Sequence, residues 1–196
     1  KYVFGKITWA NGDSYNGIFD GDGKQLIGVY NKKNEYVFKG DWNKGVRKRG
    51  IKIQENASGA IVTVYLALSN SGIYEDAVAW QRLFDDEGRV IASYVGDFVM
   101  GQMSGWGQMR TDWYVYTGEW LNGQANGMGT QVYVKTGSRA YGYFEDMSLV
   151  REYSLPELGN YTKIMEYIEQ ATLNLNRVCE VTECDQFMKE HGIIPK

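Results

Sequence analysis

Tyr116-Thr117-Gly118-Glu119-Trp120, followed by Asn122-Gly123 and by Gly127-Met128-Gly129, is the stretch that decides the fold. Its phrase, aromatic–x–Gly–x–aromatic, occurs again as Tyr15-Asn16-Gly17-Ile18-Phe19, as Phe38-Lys39-Gly40-Asp41-Trp42 and as Tyr94-Val95-Gly96-Asp97-Phe98. A fifth copy, Ala140-Tyr141-Gly142-Tyr143-Phe144, has lost the first aromatic. The central glycines 17, 40, 96, 118 and 142 step by 23, 56, 22 and 24 residues. Such a period marks supersecondary units, each too small to bury its own apolar face and therefore stacked on its neighbours.

The phrase alternates with the period of a strand, so Tyr116, Gly118 and Trp120 share one face while Thr117 and Glu119 take the other. A glycine between two rings removes the Cβ and leaves room for a ring of the next unit over the backbone. Three residues after the second aromatic stand Gly45, Gly101 and Gly123, which suit tight turns with positive φ. Gly105 and Gly107, and again Gly127 and Gly129, open the returning strand. Each unit therefore reads as a β-hairpin of about 20 residues.

These residues resemble the MORN repeat (membrane occupation and recognition nexus), whose phrase Tyr-x-Gly-x-Trp/Phe-x-x-Gly leads into Gly-x-Gly. The resemblance covers about 4–50 and 89–147. It implies an all-β, elongated single-layer array of antiparallel hairpins that organises assemblies at membranes or the cytoskeleton. Affinity for phospholipid and a cytoplasmic location come with it. The departures are specific. The second copy has Arg49 and Ile51 at the two later glycine positions, and the fifth has Met147 at the hairpin glycine, where the array is expected to end. Gly5 sits where a preceding copy would place its last glycine, so the chain is expected to enter in mid-repeat.

Between 51 and 93 the phrase disappears. Gly59 to Leu68 is rich in β-formers, and the strands Ala77–Phe84 and Arg89–Val95 flank a turn at Asp85-Asp86-Glu87-Gly88. The sheet is expected to continue through one degenerate unit, with Ser69 to Asp76 as an inserted loop. Residues 1–155 form the repeat domain. Beyond Pro156 the apolar spacing becomes helical through Tyr161, Ile164, Met165, Ile168, Thr172, Leu175 and Val178, with Gly159-Asn160 as the start and Asn160 as N-cap. A second helix is expected from Thr182, its cap, to Glu190. Residues 156–196 thus read as a helical cap over the open last strand, since terminal repeats need covering. A helix that binds a partner or makes a homodimer is the alternative.

The chain carries 21 basic and 24 acidic residues, and the first 155 residues are formally neutral with 17 of each sign. A neutral array has no electrostatic drive towards nucleic acid or anionic lipid. The local exception is Lys44, Arg47, Lys48, Arg49 and Lys52, a solvated turn or a phosphate or lipid contact. No apolar run is long enough to cross a bilayer as a helix. Cys179 and Cys184, with His191 as the only histidine, are too few for a structural zinc site. They form either a disulfide, which would place the chain in an oxidising extracytoplasmic compartment, or two thiols.

Catalytic arrangements are absent from the pattern. No phosphate loop occurs, and His191 has no nucleophile marked beside it. Glu119 and Glu145 read as repeat-equivalent carboxylates on adjacent strands, which repetition itself explains. The sequence thus describes a non-catalytic scaffold or adaptor with no metal and no cofactor. Its expected site is the aromatic face, Tyr94, Phe98, Tyr116, Trp120 and Phe144, which would hold a protein partner such as a helical segment. The same rings also serve the stacking of the array, around the structural glycines Gly17, Gly40, Gly96, Gly118 and Gly142. The alternative is a membrane-surface module using the basic cluster.

Overall fold

The computed structural model describes residues 1–56, 59–68, 77–154 and 161–195. Within these residues thirteen strands form one open sheet in chain order, every neighbour antiparallel. They are β1 (Val3–Thr8), β2 (Ser14–Phe19), β3 (Gln25–Lys32), β4 (Tyr36–Asn43), β5 (Val46–Asn56), β6 (Gly59–Leu68) and β7 (Ala77–Phe84). There follow β8 (Val90–Val99), β9 (Gln102–Thr111), β10 (Tyr114–Leu121), β11 (Gln124–Tyr133), β12 (Arg139–Glu145) and β13 (Ser148–Glu152). Among the described residues two helices follow the sheet, α1 (Tyr161–Thr182) and α2 (Cys184–Glu190). The expected loop at 69–76 and the expected helix start at 159–160 lie outside the described residues.

Register explains the glycines. Gly17 faces Gly28, which faces Gly40, which faces Gly50. Further on, Gly96, Gly107, Gly118, Gly129 and Gly142 face one another across β8 to β12. The second unit therefore keeps its later glycine, at Gly50. Counting offsets from Gly40 missed it because that hairpin is one residue shorter. In the degenerate unit, Tyr65 and Ala79 fill the same row: Gly50 faces Tyr65, Tyr65 faces Ala79, and Ala79 faces Gly96.

Four hairpins close on a pair of left-handed residues: Lys44-Gly45, Met100-Gly101, Asn122-Gly123 and Asp146-Met147. This is the turn that matches strand twist. Met147 adopts φ 68° without being glycine, so the array continues past it into β13, contrary to the expectation that it ends there. Its Sδ accepts the Ala125 amide at 3.0 Å, and its own amide donates to the Ala125 carbonyl at 3.1 Å. These bonds and the packing of its side chain on the ladder hold the turn.

On one face the rings make a ladder. Tyr94 meets Phe98 at 5.3 Å and Trp120 at 5.2 Å, while Tyr116 meets Trp120 at 5.3 Å and Phe144 at 4.9 Å, all edge to face. Tyr15, Phe19, Phe38 and Trp42 repeat the scheme at the start of the sheet. Tyr15, Tyr94 and Tyr116 thus each touch the second aromatic of their own unit and of the next phrase-bearing unit. The ring over each glycine pair belongs to the same unit, not to the next as the sequence reading had it. Tyr94 covers Gly96 and Gly107, and its hydroxyl donates to the Asp97 carbonyl at 3.0 Å.

The opposite face carries the helices. Ile164, Ile168, Ala171, Leu175 and Val178 form the buried stripe of α1, close to the expected spacing. This stripe crosses β5 to β10 instead of covering β13. The reason is apolar surface. Ile51, Ile53, Val62, Val64, Trp80 and Phe84 make the core against α1 and α2, whereas every residue of β13 is exposed. Strand β6 is apolar in both directions because both of its sides are covered. The second helix starts later than expected. Thr182 ends α1 by donating to the Val178 carbonyl at 2.8 Å, and Glu183 breaks the chain at φ 53°. Cys179 and Cys184 are joined across this corner as a disulfide.

Candidate functional site

Tyr94, Phe98, Tyr116, Trp120 and Phe144 are brought together, but as core: all five are buried in one cluster. Each ring is closed off by the neighbouring units and by the glycine backbone beneath it, so the ladder offers a partner little surface. Burial, reinforced by the Asp97 charge at Tyr94 and the Glu119 charge at Tyr116, pushes both phenols well above the ordinary tyrosine value. They stay neutral donors to backbone carbonyls.

The carboxylate that follows the phrase glycine is structural as well. In each of the six hairpins the register slips just after the glycine row. At that bulge Asp97 accepts the Trp106 amide at 3.0 Å, and Glu119 accepts the Met128 amide at 3.0 Å. Gly105 and Gly127 leave room for these carboxylates, at φ 91° and 111°. The equivalent of Glu119 is therefore Asp97. Glu145 is not its counterpart, because Tyr143 occupies the slot after Gly142. Asp97 also accepts a short hydrogen bond from the Tyr167 hydroxyl of α1, which docks the helix on the repeat.

The basic cluster is divided by strand alternation. Arg47 and Lys52 lie on the ladder face, with their charges 5.1 and 5.6 Å from the Tyr36 ring centre. Arg49 points to the other face and pairs with Asp41, and Lys44 is exposed in its turn. Lys44, Arg47, Arg49 and Lys52 therefore do not make one patch. Among the described residues no group of three or more His, Cys, Asp and Glu could hold a metal ion, and no helix is long and apolar enough to cross a membrane.

What the ladder and the helices leave over is an edge of turns. Trp113 is 65% exposed in the turn between β9 and β10, next to Tyr133 at 44% and Val134 at 49%. Thr111 holds this turn by accepting the Trp113 and Tyr114 amides, each at 3.2 Å, and the Trp113 carbonyl accepts the Val134 amide at 2.9 Å. Lys135 lies 4.7 Å from the centre of the indole. Sequence reasoning missed Trp113 because it falls outside the phrase. Its signal was a tryptophan three residues before the first aromatic, where Gly12 and Gly137 stand in other units.

An open antiparallel sheet with a glycine row under a ring ladder defines a hairpin-repeat array. The family model of the MORN repeat matches residues 3–14, 94–110 and 116–137, and the chain is a MORN-repeat protein. Such repeats are generally associated with membrane or protein binding, and the family is typically non-catalytic. No curated protein matches the chain.

Proposed function

We propose that the chain is a non-catalytic scaffold that binds a protein partner through the turn edge at Trp113, Tyr133 and Val134, and not through the rings of the ladder. The observation that carries this reading is the exposure of Trp113 on a backbone fixed by three hydrogen bonds. Tryptophan and tyrosine dominate binding hot spots, and a pre-ordered anchor loses little entropy on docking. The formal neutrality of the array favours a protein surface over an anionic bilayer. The test is cross-linking capture from cell extract with the wild type and with a Trp113→Ala/Tyr133→Ala variant of unchanged circular dichroism. A specific partner lost in the variant supports the reading. Equal capture by both, or binding only to anionic vesicles, refutes it.

A further inference from the structure

The first unit departs from the later ones in a way that the repeat fold does not require. Tyr30 stands where the other units have Lys52, Met109 and Gln131, each opposite the first aromatic of its phrase. Asp13, two residues before that aromatic, stands where they have Tyr36, Ala92 and Tyr114. Around Tyr30 lies a cavity of about 400 Å³, within the size range of small-molecule sites. Trp9 and Trp42 flank Tyr30, with ring centres at 6.0 and 5.8 Å and planes inclined by 67° and 73°. Tyr36 and Arg47 also line the cavity, and the Arg47 guanidinium is held against the Tyr36 and Phe38 rings, 5.1 and 5.5 Å from their centres.

Asp13 completes the wall. It is only 8% exposed, and its carboxylate accepts the Tyr30 hydroxyl at 2.7 Å, the Asn11 amide at 3.0 Å and the Lys33 backbone amide at 3.0 Å. The Tyr30 bond first, then the Lys33 amide, holds its carboxyl below the ordinary aspartate value, so it is ionised at neutral pH. All three donors are neutral. The nearby Lys32 is bound instead to Glu35 at 2.9 Å. A carboxylate bound by neutral donors keeps a negative charge at the cavity wall that an incoming cation can meet.

The kind of cation follows from the walls. A metal ion would need several oxygen ligands, and the oxygens of Asp13 are already used by three donors. A primary ammonium brings three N–H groups that rings do not satisfy. A methylated ammonium needs no acceptor, and it spreads its charge over groups that pack on aromatic faces. We propose that this cavity binds a small organic ammonium of the choline type, its methyl groups against Trp9, Tyr30 and Trp42 and its charge towards Asp13.

The experiment is a titration of the whole chain with choline chloride, followed by the indole N–H signals in ¹H–¹⁵N spectra, with sodium chloride at equal ionic strength as the blank. Saturable shifts of the Trp9 and Trp42 signals are expected, with a Kd of order 1 mM, as suits so small a ligand. Asp13→Asn keeps the shape and an acceptor for the Lys33 amide but removes the charge, and it should weaken binding about tenfold. Trp9→Ala, at the rim, should weaken it about fivefold without touching the Asp13 hydrogen bonds. Phosphocholine and free trimethyl-lysine, titrated alongside, distinguish a headgroup from a modified side chain as the source of the same group. Linear, salt-like shifts, or equal binding by Asp13→Asn, would overturn the proposal. Neither outcome bears on Trp113, which lies in another turn.

Discussion

The ring of Tyr116 lies against Gly129 on the neighbouring strand so closely that a Cβ there would stand 2.3 Å from its hydroxyl oxygen and 2.5 Å from Cζ. The same Tyr116 ring covers Gly118, and its hydroxyl donates to the Glu119 carbonyl at 3.1 Å. Ring, glycine pair and carbonyl form one unit of packing. Tyr94 over Gly96 and Gly107 copies it. The glycines are thus required for space at Gly129, where φ is ordinary, and the ring has nowhere to retreat because Trp120 and Phe144 close its edges.

Gly129→Ala should therefore destabilise the array by about 2–3 kcal/mol in urea unfolding, a penalty of overpacking and not of backbone strain. The cause is checked by a double-mutant cycle. In a Tyr116→Leu background, where the far end of the ring is gone, the added methyl should cost less than half as much. An unchanged cost would mean that the methyl group collides with backbone alone.

Titration of tyrosinate absorbance separates the ladder from the surface. Tyr94 and Tyr116 have raised values in the fold because burial disfavours the phenolate, whereas an unfolded tyrosine ionises near pH 10. A raised folded value means stability that is complete below about pH 10 and lost as pH rises above it. The ladder tyrosines should titrate in one steep step above about pH 10 that coincides with loss of the β-sheet signal. A gradual titration of all tyrosines with the sheet intact would show that the rings are accessible.

At acid pH the sign reverses. Asp13 is held low by Tyr30 and Lys33, and Asp85 by the Arg89 backbone amide and then its side chain. A depressed folded value gives stability that is present above about pH 4 and lost as pH falls through the folded value. Asp13→Asn should flatten the acid limb of a stability–pH profile relative to the wild type.

The sequence made the period, the hairpins and the glycine row legible because each rests on a local rule: alternation, turn chemistry and the need for a missing Cβ. Alternation states which residues share a face, and it placed Tyr94, Tyr116 and Trp120 together. It does not state whether that face meets solvent. The rings are core because Tyr15, Tyr94 and Tyr116 also touch the second aromatic of the following unit, a contact between residues about two dozen positions apart. The place of α1 was illegible for a similar reason. Its stripe could be read from spacing, but the apolar row it would choose, from Ile51 to Phe84, is assembled only when β5 to β7 pair. Gly50 escaped because one deleted residue shifts every fixed offset.

The bond between Asp97 and Tyr167 gives a way to loosen the helix without disturbing the ladder. Tyr167→Phe removes one hydrogen bond and should cost about 1 kcal/mol. Asp97→Ala removes the same bond and also leaves the Trp106 amide without its acceptor at the bulge, for about 2–3 kcal/mol in all. Hydrogen exchange separates the two. Tyr167→Phe should speed exchange in α1 only, whereas Asp97→Ala should also expose amides of β9. If both variants exchange alike, the carboxylate serves the helix and not the bulge.

Met147 sets a last comparison, because it holds a left-handed position that Gly45, Gly101 and Gly123 hold in the other three turns. Replacing it with glycine relieves about 1 kcal/mol of backbone strain but gives up the packing on the ladder and the Sδ contact with the Ala125 amide. The two terms nearly cancel, so Met147→Gly should lie within about 0.5 kcal/mol of the wild type. Met147→Ala keeps the strain and loses the side chain, and it should be about 1 kcal/mol less stable than the glycine variant. An alanine variant as stable as the glycine one would place the turn in another conformation, and the β12–β13 hairpin would then need a different closure.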